Sequence, residues 1–179
     1  MSGSLQMPEA DMRTGAKRAA EGITRILLAD GHCLVRGGMR RILEEREDLR
    51  VVGEASSSEE LLEGLRRLGP DIALVAIELH GLSGLEVIRN ARAQGFETRF
   101  VVVSSLEGYL HLKRAFAVGA MGYVPKSAEP QDLVTAVDAV RAGNAYLSPS
   151  LASVARALAG NPEAAGHDRL AALTGRERD

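Results

Sequence analysis

Five short apolar, β-prone runs alternate with segments of helical periodicity, and that alternation leaves little choice of fold. The runs fall at residues 25–29, 51–54, 72–77, 100–103 and 122–124. Between them apolar residues recur at helical spacing: Val35, Met39, Ile42 and Leu43; Leu61, Leu65 and Leu68; Leu85, Ile88 and Ala91; Leu112, Ala115 and Phe116; Leu133, Val137 and Val140. Strands alternating with helices imply parallel crossovers. The expected fold is therefore α/β, a doubly wound five-stranded parallel sheet with five helices on its two faces. The third and fourth runs lack polar alternation, as they should when helices cover both sides of the sheet.

Helix start signals agree. Ser57 with Glu60, and Ser83 with Glu86, have the Ser-x-x-Glu spacing of a capping box. Pro130 and Pro149 each follow a plausible cap position, where the ring already suits the first helical turn. One more short helix is expected over 147–159, and the Gly/Pro/Ala/His stretch at 160–167 reads as a linker. Residues 1–22, small and polar with mixed charge, read as a flexible tail. Thr174 and Glu177 are again spaced as a capping box, so a helix is expected to begin just as the sequence stops.

A chain of 179 residues is long enough to bury a real core, as one domain plus extensions. A net charge of -2 gives no global pull toward nucleic acid or an anionic membrane. The single cysteine, Cys33, excludes an intrachain disulfide framework and suits a reducing compartment. No apolar run approaches membrane-spanning length and no signal-peptide core is present, so a soluble, cytoplasmic protein is expected.

In doubly wound folds, sites form at the C-terminal ends of the strands. That edge comprises Asp30, Gly31, Glu78, Ser104 and Lys126. Several separated motifs then carry a family resemblance. Ile26-Leu27-Leu28-Ala29-Asp30-Gly31-His32 looks like the first strand and acidic loop of a receiver domain. Val51-Val52-Gly53-Glu54-Ala55 looks like the second strand, and Ala120-Met121-Gly122-Tyr123-Val124-Pro125-Lys126 like the fifth. Gly143-Asn144-Ala145-Tyr146-Leu147-Ser148-Pro149 is similar to the segment that ends such receivers. Over roughly residues 24–151 the chain resembles the receiver domain of NarL/FixJ-type response regulators, with the CheY/flavodoxin-like receiver fold. Leu173-Thr174-Gly175-Arg176-Glu177-Arg178 looks like the opening of a LuxR-type helix-turn-helix domain. The implied organisation is a tail at 1–22, an atypical receiver at 23–147, a helix and linker at 148–172, and at 173–179 the first residues of a truncated helix-turn-helix domain.

In that family two acidic residues after the first strand join an acceptor aspartate to hold Mg²⁺ through hard oxygen ligands. The acceptor is the nucleophile of an in-line phosphoryl transfer, in which positioning and charge neutralisation do most of the catalysis. A hydroxyl and a lysine then bind the new phosphoryl oxygens. Carried over residue by residue, the resemblance assigns the first acid to Asp30, the hydroxyl to Ser104, the lysine to Lys126 and a switching aromatic to Tyr123. Gly31 replaces the second acid and Ala76 replaces the acceptor. A methyl group can neither attack phosphorus nor hold a metal, so phosphorylation at that position is excluded. No metal, cofactor or catalytic residue is expected.

Lys126 without its aspartate needs a counter-charge. Asp30 is one candidate. Glu78 is the other, two residues beyond Ala76 and so on the same side of an extended strand. His32 and His80 with those two carboxylates form a less favoured His/carboxylate metal reading. Cys33 reads as a small buried residue at a helix start, and Tyr123 as a packed aromatic with a wet hydroxyl or a switch. Arg36, Arg40 and Arg41 read as a solvated face or a dimer contact. Arg176 and Arg178 would support the start of the next domain.

The leading expectation is the receiver of a phosphorylation-independent transcription regulator, acting as a homodimer or with a related regulator as heterodimer partner. It would reach DNA only through a following helix-turn-helix and would not contact membrane. The alternative is a sensor whose altered pocket binds a small-molecule ligand. Phosphate acceptance by a substitute nucleophile such as Ser104 is the weakest reading.

Overall fold

The first strand, β1 (Thr24–Ala29), is buried along nearly its whole length because it lies in the middle of the sheet. In this computed structural model the described residues are 22–159. Leu49–Ala55 (β2) pairs with β1 on one side and Ile72–Val75 (β3) on the other. Arg99–Ser104 (β4) and Gly122–Pro125 (β5) follow in turn. The order is β2-β1-β3-β4-β5-β6, all parallel, the last being the two-residue strand Tyr146–Leu147 (β6). The strand order reverses between β1 and β3, which opens a crevice at their C-terminal ends.

Cys33–Glu44 (α1) and Pro130–Arg141 (α5) pack on one face, where Met39, Leu43, Leu133 and Val137 join Ile26, Leu28 and Leu74. Ser58–Leu68 (α2), Gly84–Ala93 (α3) and Tyr109–Ala117 (α4) cover the other, placing Leu61, Ile88 and Phe116 against Leu27, Ala73 and Phe100. Pro149–Ala159 (α6) closes over this second face, with Leu151 in its core. Burying such side chains contributes about 1.5–3 kcal/mol each and is the main force holding both layers to the sheet.

Several local expectations are corrected. The sheet has six strands rather than five, since Tyr146 and Leu147 pair with Gly122 and Tyr123, and Leu147, expected to start the last helix, belongs to this strand instead. Strand β3 ends at Val75, not residue 77. The box at Ser83 forms in full, each partner reaching the other's backbone. At α2 only half of it forms: Ser57 accepts from the Glu60 N–H, while the Glu60 carboxylate caps Ser56 instead, accepting from its N–H at 2.6 Å and its hydroxyl at 2.8 Å. The readings of 1–21 and 160–179 lie outside the described residues.

Two glycines bring α3 down onto the sheet edge. A Cβ on Gly84 would stand 2.0 Å from the Ala76 carbonyl oxygen, a separation no side chain tolerates. Gly81 turns the preceding loop at φ +89°, a left-handed conformation that glycine adopts without steric cost.

Candidate functional site

Backbone hydrogen bonds one residue past each strand end fix the crevice. The Asp30 N–H donates to the Ala55 carbonyl at 3.0 Å, that of Ala76 to Ala29 at 2.8 Å, and that of Lys126 to Ser104 at 2.9 Å. Asp30, Ala76, Ser104 and Lys126 are thus carried to one edge by the sheet itself.

Asp30 is fully buried. Its Oδ1 accepts from the His32 N–H at 2.8 Å, a side-chain turn typical of aspartate, and lies 3.0 Å from His32 Nδ1. Its Oδ2 lies 2.6 Å from the Lys126 ammonium. That contact is an ion pair not aligned as a hydrogen bond, and no other polar group among the described residues satisfies Oδ2. A buried carboxylate needs such a partner, and Lys126, 17% exposed, supplies the charge. The Arg36 guanidinium closes the back of the loop by donating to the Asp30 carbonyl at 2.6 Å.

Of the two proposed counter-charges, only Asp30 meets the lysine. Glu78 is exposed, because the strand stops at Val75 and the alternation that would aim it inward does not continue to it. Ala76 is buried at the crevice floor. Gly31 is exposed, and a Cβ there would meet nothing closer than the Ser56 carbonyl at 4.0 Å. Space does not forbid an acidic side chain at 31.

Ser104 is buried, and its hydroxyl accepts from the Leu106 N–H at 3.1 Å. The Tyr123 ring is also fully buried, its hydroxyl donating to the Leu106 carbonyl, so the expected wet hydroxyl is corrected. Burial raises the Tyr123 phenol above its ordinary range; the Ser104 hydroxyl opposes this and the Glu107 carboxylate adds to it. Ser104 and Tyr123 therefore converge on one loop residue.

The other readings fare unevenly. His32 joins Asp30, but His80 is exposed and is tied in through its carbonyl, which accepts from the Ser58 N–H at 2.9 Å. Cys33 opens α1 as expected but is exposed rather than buried. Arg41 is solvated, whereas Arg36 and Arg40 both grip Glu54, at 2.9 and 2.8 Å. Arg40 foremost, with Arg36, holds the Glu54 carboxyl below its usual range against the effect of burial. A glutamate closing the apolar run at 51–54 was the available signal for this clamp. The role of Leu106 had none, because it acts through its backbone.

The donor set does not suit the Mg²⁺ that the resemblance implies. Such a cation takes several hard oxygen ligands. Here the one buried carboxylate at the edge is already held by an ammonium, and residues 31 and 76 carry no side-chain oxygen. Among the described residues no group of three His, Cys, Asp or Glu side chains is placed to hold a metal. Nor is any described helix long and apolar enough to cross a membrane.

Comparison with known proteins places these features in context. The profile of the family described as "Response regulator receiver domain" matches residues 26–138. The chain is 38% identical over 128 residues to the response regulator GacA of Pseudomonas viridiflava, a match spanning 72% of this chain and 60% of that protein. It is 35% identical over 154 residues to the nitrate/nitrite response regulator protein NarL of Escherichia coli, spanning 86% and 71%. The crystal structure of a LuxR-family two-component response regulator from Aurantimonas sp. SI85-9A1 superposes with a TM-score of 0.73 at 36% identity, covering 76% of this chain and 99% of that one. The chain spans about three fifths of the length of the GacA relatives it matches.

Proposed function

Because this chain belongs to the response regulator receiver domain family, in its NarL/LuxR branch, we propose that it is the receiver of a transcription regulator whose pocket is set by its own lysine rather than by a phosphoryl group. The observation that carries the reading is the 2.6 Å pair between Lys126 and the buried Asp30, beside a methyl group at position 76. The ammonium supplies the positive charge at the first acid that a divalent cation would otherwise supply. No group at position 76 can accept phosphorus. The pocket therefore has one arrangement available to it, and control passes to assembly: a homodimer, or a heterodimer with a related regulator that still carries its aspartate. DNA would be reached through a helix-turn-helix following residue 173.

The test is intact mass and sedimentation velocity with and without acetyl phosphate and Mg²⁺. The expected result is an unchanged mass and an unchanged association state. Gain of one phosphoryl group in mass would overturn the proposal and direct attention to Ser104 or another acceptor. A change in association without a change in mass would favour the small-molecule reading instead.

A further inference from the structure

The core on the face covered by α1 and α5 is not closed. A cavity of about 220 Å³ lies between these helices and the ends of β4 and β5. Val35, Met39 and Ile42 of α1, Val103 and Val124 of the strands, and Leu133 of α5 form its walls. Val35 and Ile42 lie seven residues apart on one helix, so the cavity runs about 10 Å along α1. Its charged lining residues are Lys126 and Glu129, both in the segment between β5 and α5. One end is polar and the rest is apolar.

Gly38 completes the wall on the side of α1. Glycine weakens a helix interior. Nothing inside the folded chain demands it here, since a Cβ at this position would meet no atom within 4 Å. The missing side chain leaves the cavity open to solvent, yet water gains little there, because so apolar a lining offers few hydrogen-bond partners. An apolar cavity of about 150 Å³ is enough to hold benzene. This one has room for a ring with one or two substituents.

Charge at the polar end narrows the class of occupant. Asp30 already neutralises the Lys126 ammonium at 2.6 Å. Glu129 is exposed, and its side chain makes no cap bond to α5. The mouth therefore keeps a negative charge and disfavours an anion. A hydroxyl suits it: the hydroxyl can donate to the Glu129 carboxylate, and its oxygen can accept from an ammonium N–H that Asp30 does not use.

We propose that this cavity is a binding site for a small neutral molecule, an apolar ring or short chain ending in one hydroxyl, held between α1 and α5 with its polar end at Glu129 and Lys126. The site is separate from position 76 and stands whether or not that position accepts a phosphoryl group. Lys126 belongs to both places, which gives an occupant of the cavity a direct hold on the pair with Asp30.

Methyl-resolved NMR and thermal melts of the whole chain test the site with three probes: p-cresol, toluene and p-toluate. Added p-cresol is expected to shift the methyls of Val35, Ile42, Val103, Val124 and Leu133 saturably and to raise the melting midpoint with its concentration. Toluene should bind several-fold more weakly, and p-toluate more weakly still. Glu129→Gln should narrow the gap between p-cresol and p-toluate. Gly38→Leu is expected to weaken p-cresol binding about tenfold or more, since a filled cavity leaves no apolar surface for the ring to cover. Gly37→Leu, one residue away and outside the lining, should leave binding unchanged. If Gly38→Leu does not fold, Ala128→Leu fills the cavity from the side of the loop. Shifts that do not saturate or that fall on other methyls overturn the site, as does binding that survives both filled variants. Toluene binding as tightly as p-cresol, or p-toluate binding more tightly, overturns the assigned class. Cavity methyl shifts that grow with protein concentration in the absence of probe would give the cavity to a second copy of the chain and overturn the proposal as well.

Discussion

The Lys126 ammonium lies 2.6 Å from Oδ2 of Asp30, a carboxylate with no exposed surface, at the point where β1 and β5 deliver their ends to a common edge. The two residues are far apart in sequence and meet because the sheet brings its strand ends level. The pair removes two charges from water, and its worth lies in what happens when one partner is taken away.

That asymmetry predicts unequal losses. Lys126→Met leaves a fully buried carboxylate without counter-charge and should cost about 3 kcal/mol or more. Asp30→Asn should cost less, about 1–2 kcal/mol, because the lysine stem can swing its ammonium to solvent and the new amide oxygen still accepts from the His32 N–H. Urea unfolding midpoints measure both. Equal losses would mean that the lysine is not the principal partner of Asp30.

Restoring the absent carboxylates should restore chemistry. Gly31→Asp has room, since the nearest atom to its Cβ is 4.0 Å away. Combined with Ala76→Asp it would give the edge three carboxylates and a donor set suited to a hard cation. The double variant is expected to gain a phosphoryl mass from acetyl phosphate with Mg²⁺, and Ala76→Asp alone far more slowly. A double variant inert to phosphodonor would show that Lys126 holds the pocket closed even when the acids return.

Two glycine substitutions should act with opposite sign. Gly84→Ala drives a methyl into the Ala76 carbonyl and should destabilise by about 1–3 kcal/mol as α3 is pushed outward. Gly37→Ala, on the exposed side of α1 with nothing within 4 Å, should stabilise by about 0.4–1 kcal/mol through helix propensity and a stiffer unfolded chain. Thermal melts of the two proteins settle the signs.

Acid should weaken the fold through a small set of carboxyls. Asp48 is held below its usual range by hydrogen bonds from Arg46 and Arg141, and Glu54 by Arg40 and Arg36. A depressed folded-state pKa contributes stability that is present above the unfolded value and lost as pH falls through the folded one. Stability should therefore hold above about pH 5 and decline below it, since free carboxyls titrate near pH 4. Asp48→Asn and Glu54→Gln should each flatten that decline in urea melts taken from pH 7 to 3. An acid limb unaltered by both would assign the loss to other groups.

The alkaline side carries the reverse sign. The raised phenol of Tyr123 favours the folded state below the ordinary tyrosine pKa of about 10, and that contribution vanishes as pH rises through the folded value. Tyr123→Phe should cost about 1 kcal/mol at neutral pH by deleting the bond to Leu106 and should remove this part of the alkaline loss. Near-ultraviolet titration with parallel melts checks it. A full alkaline drop in the phenylalanine protein would place it elsewhere.

Much of this was legible along the chain. Periodicity of the apolar residues located five strands and the helices between them, because burial on a strand and on a helix leaves different repeats. The Ser83 and Glu86 spacing announced a helix start that forms in full. The edge residues Asp30, Ser104 and Lys126 were identifiable because parallel strands present their C-terminal ends together. Glu78 was misplaced for the same kind of reason: alternation holds only while the backbone stays extended, and β3 ends three residues earlier. The sixth strand was hidden because two residues are too few to show a period.

The sequence by itself determined the α/β alternation, the sheet edge on which the site lies, and the absence of an acidic side chain at positions 31 and 76. These follow from side-chain identity and local repeat. Only the tertiary structure decided that Lys126 takes Asp30 rather than Glu78, that Tyr123 is inside with its hydroxyl on Leu106, and that Ser148 hangs the last helix from β5. Each of those depends on where two distant backbone segments end relative to one another, a matter of strand length and register that a string of residues does not contain.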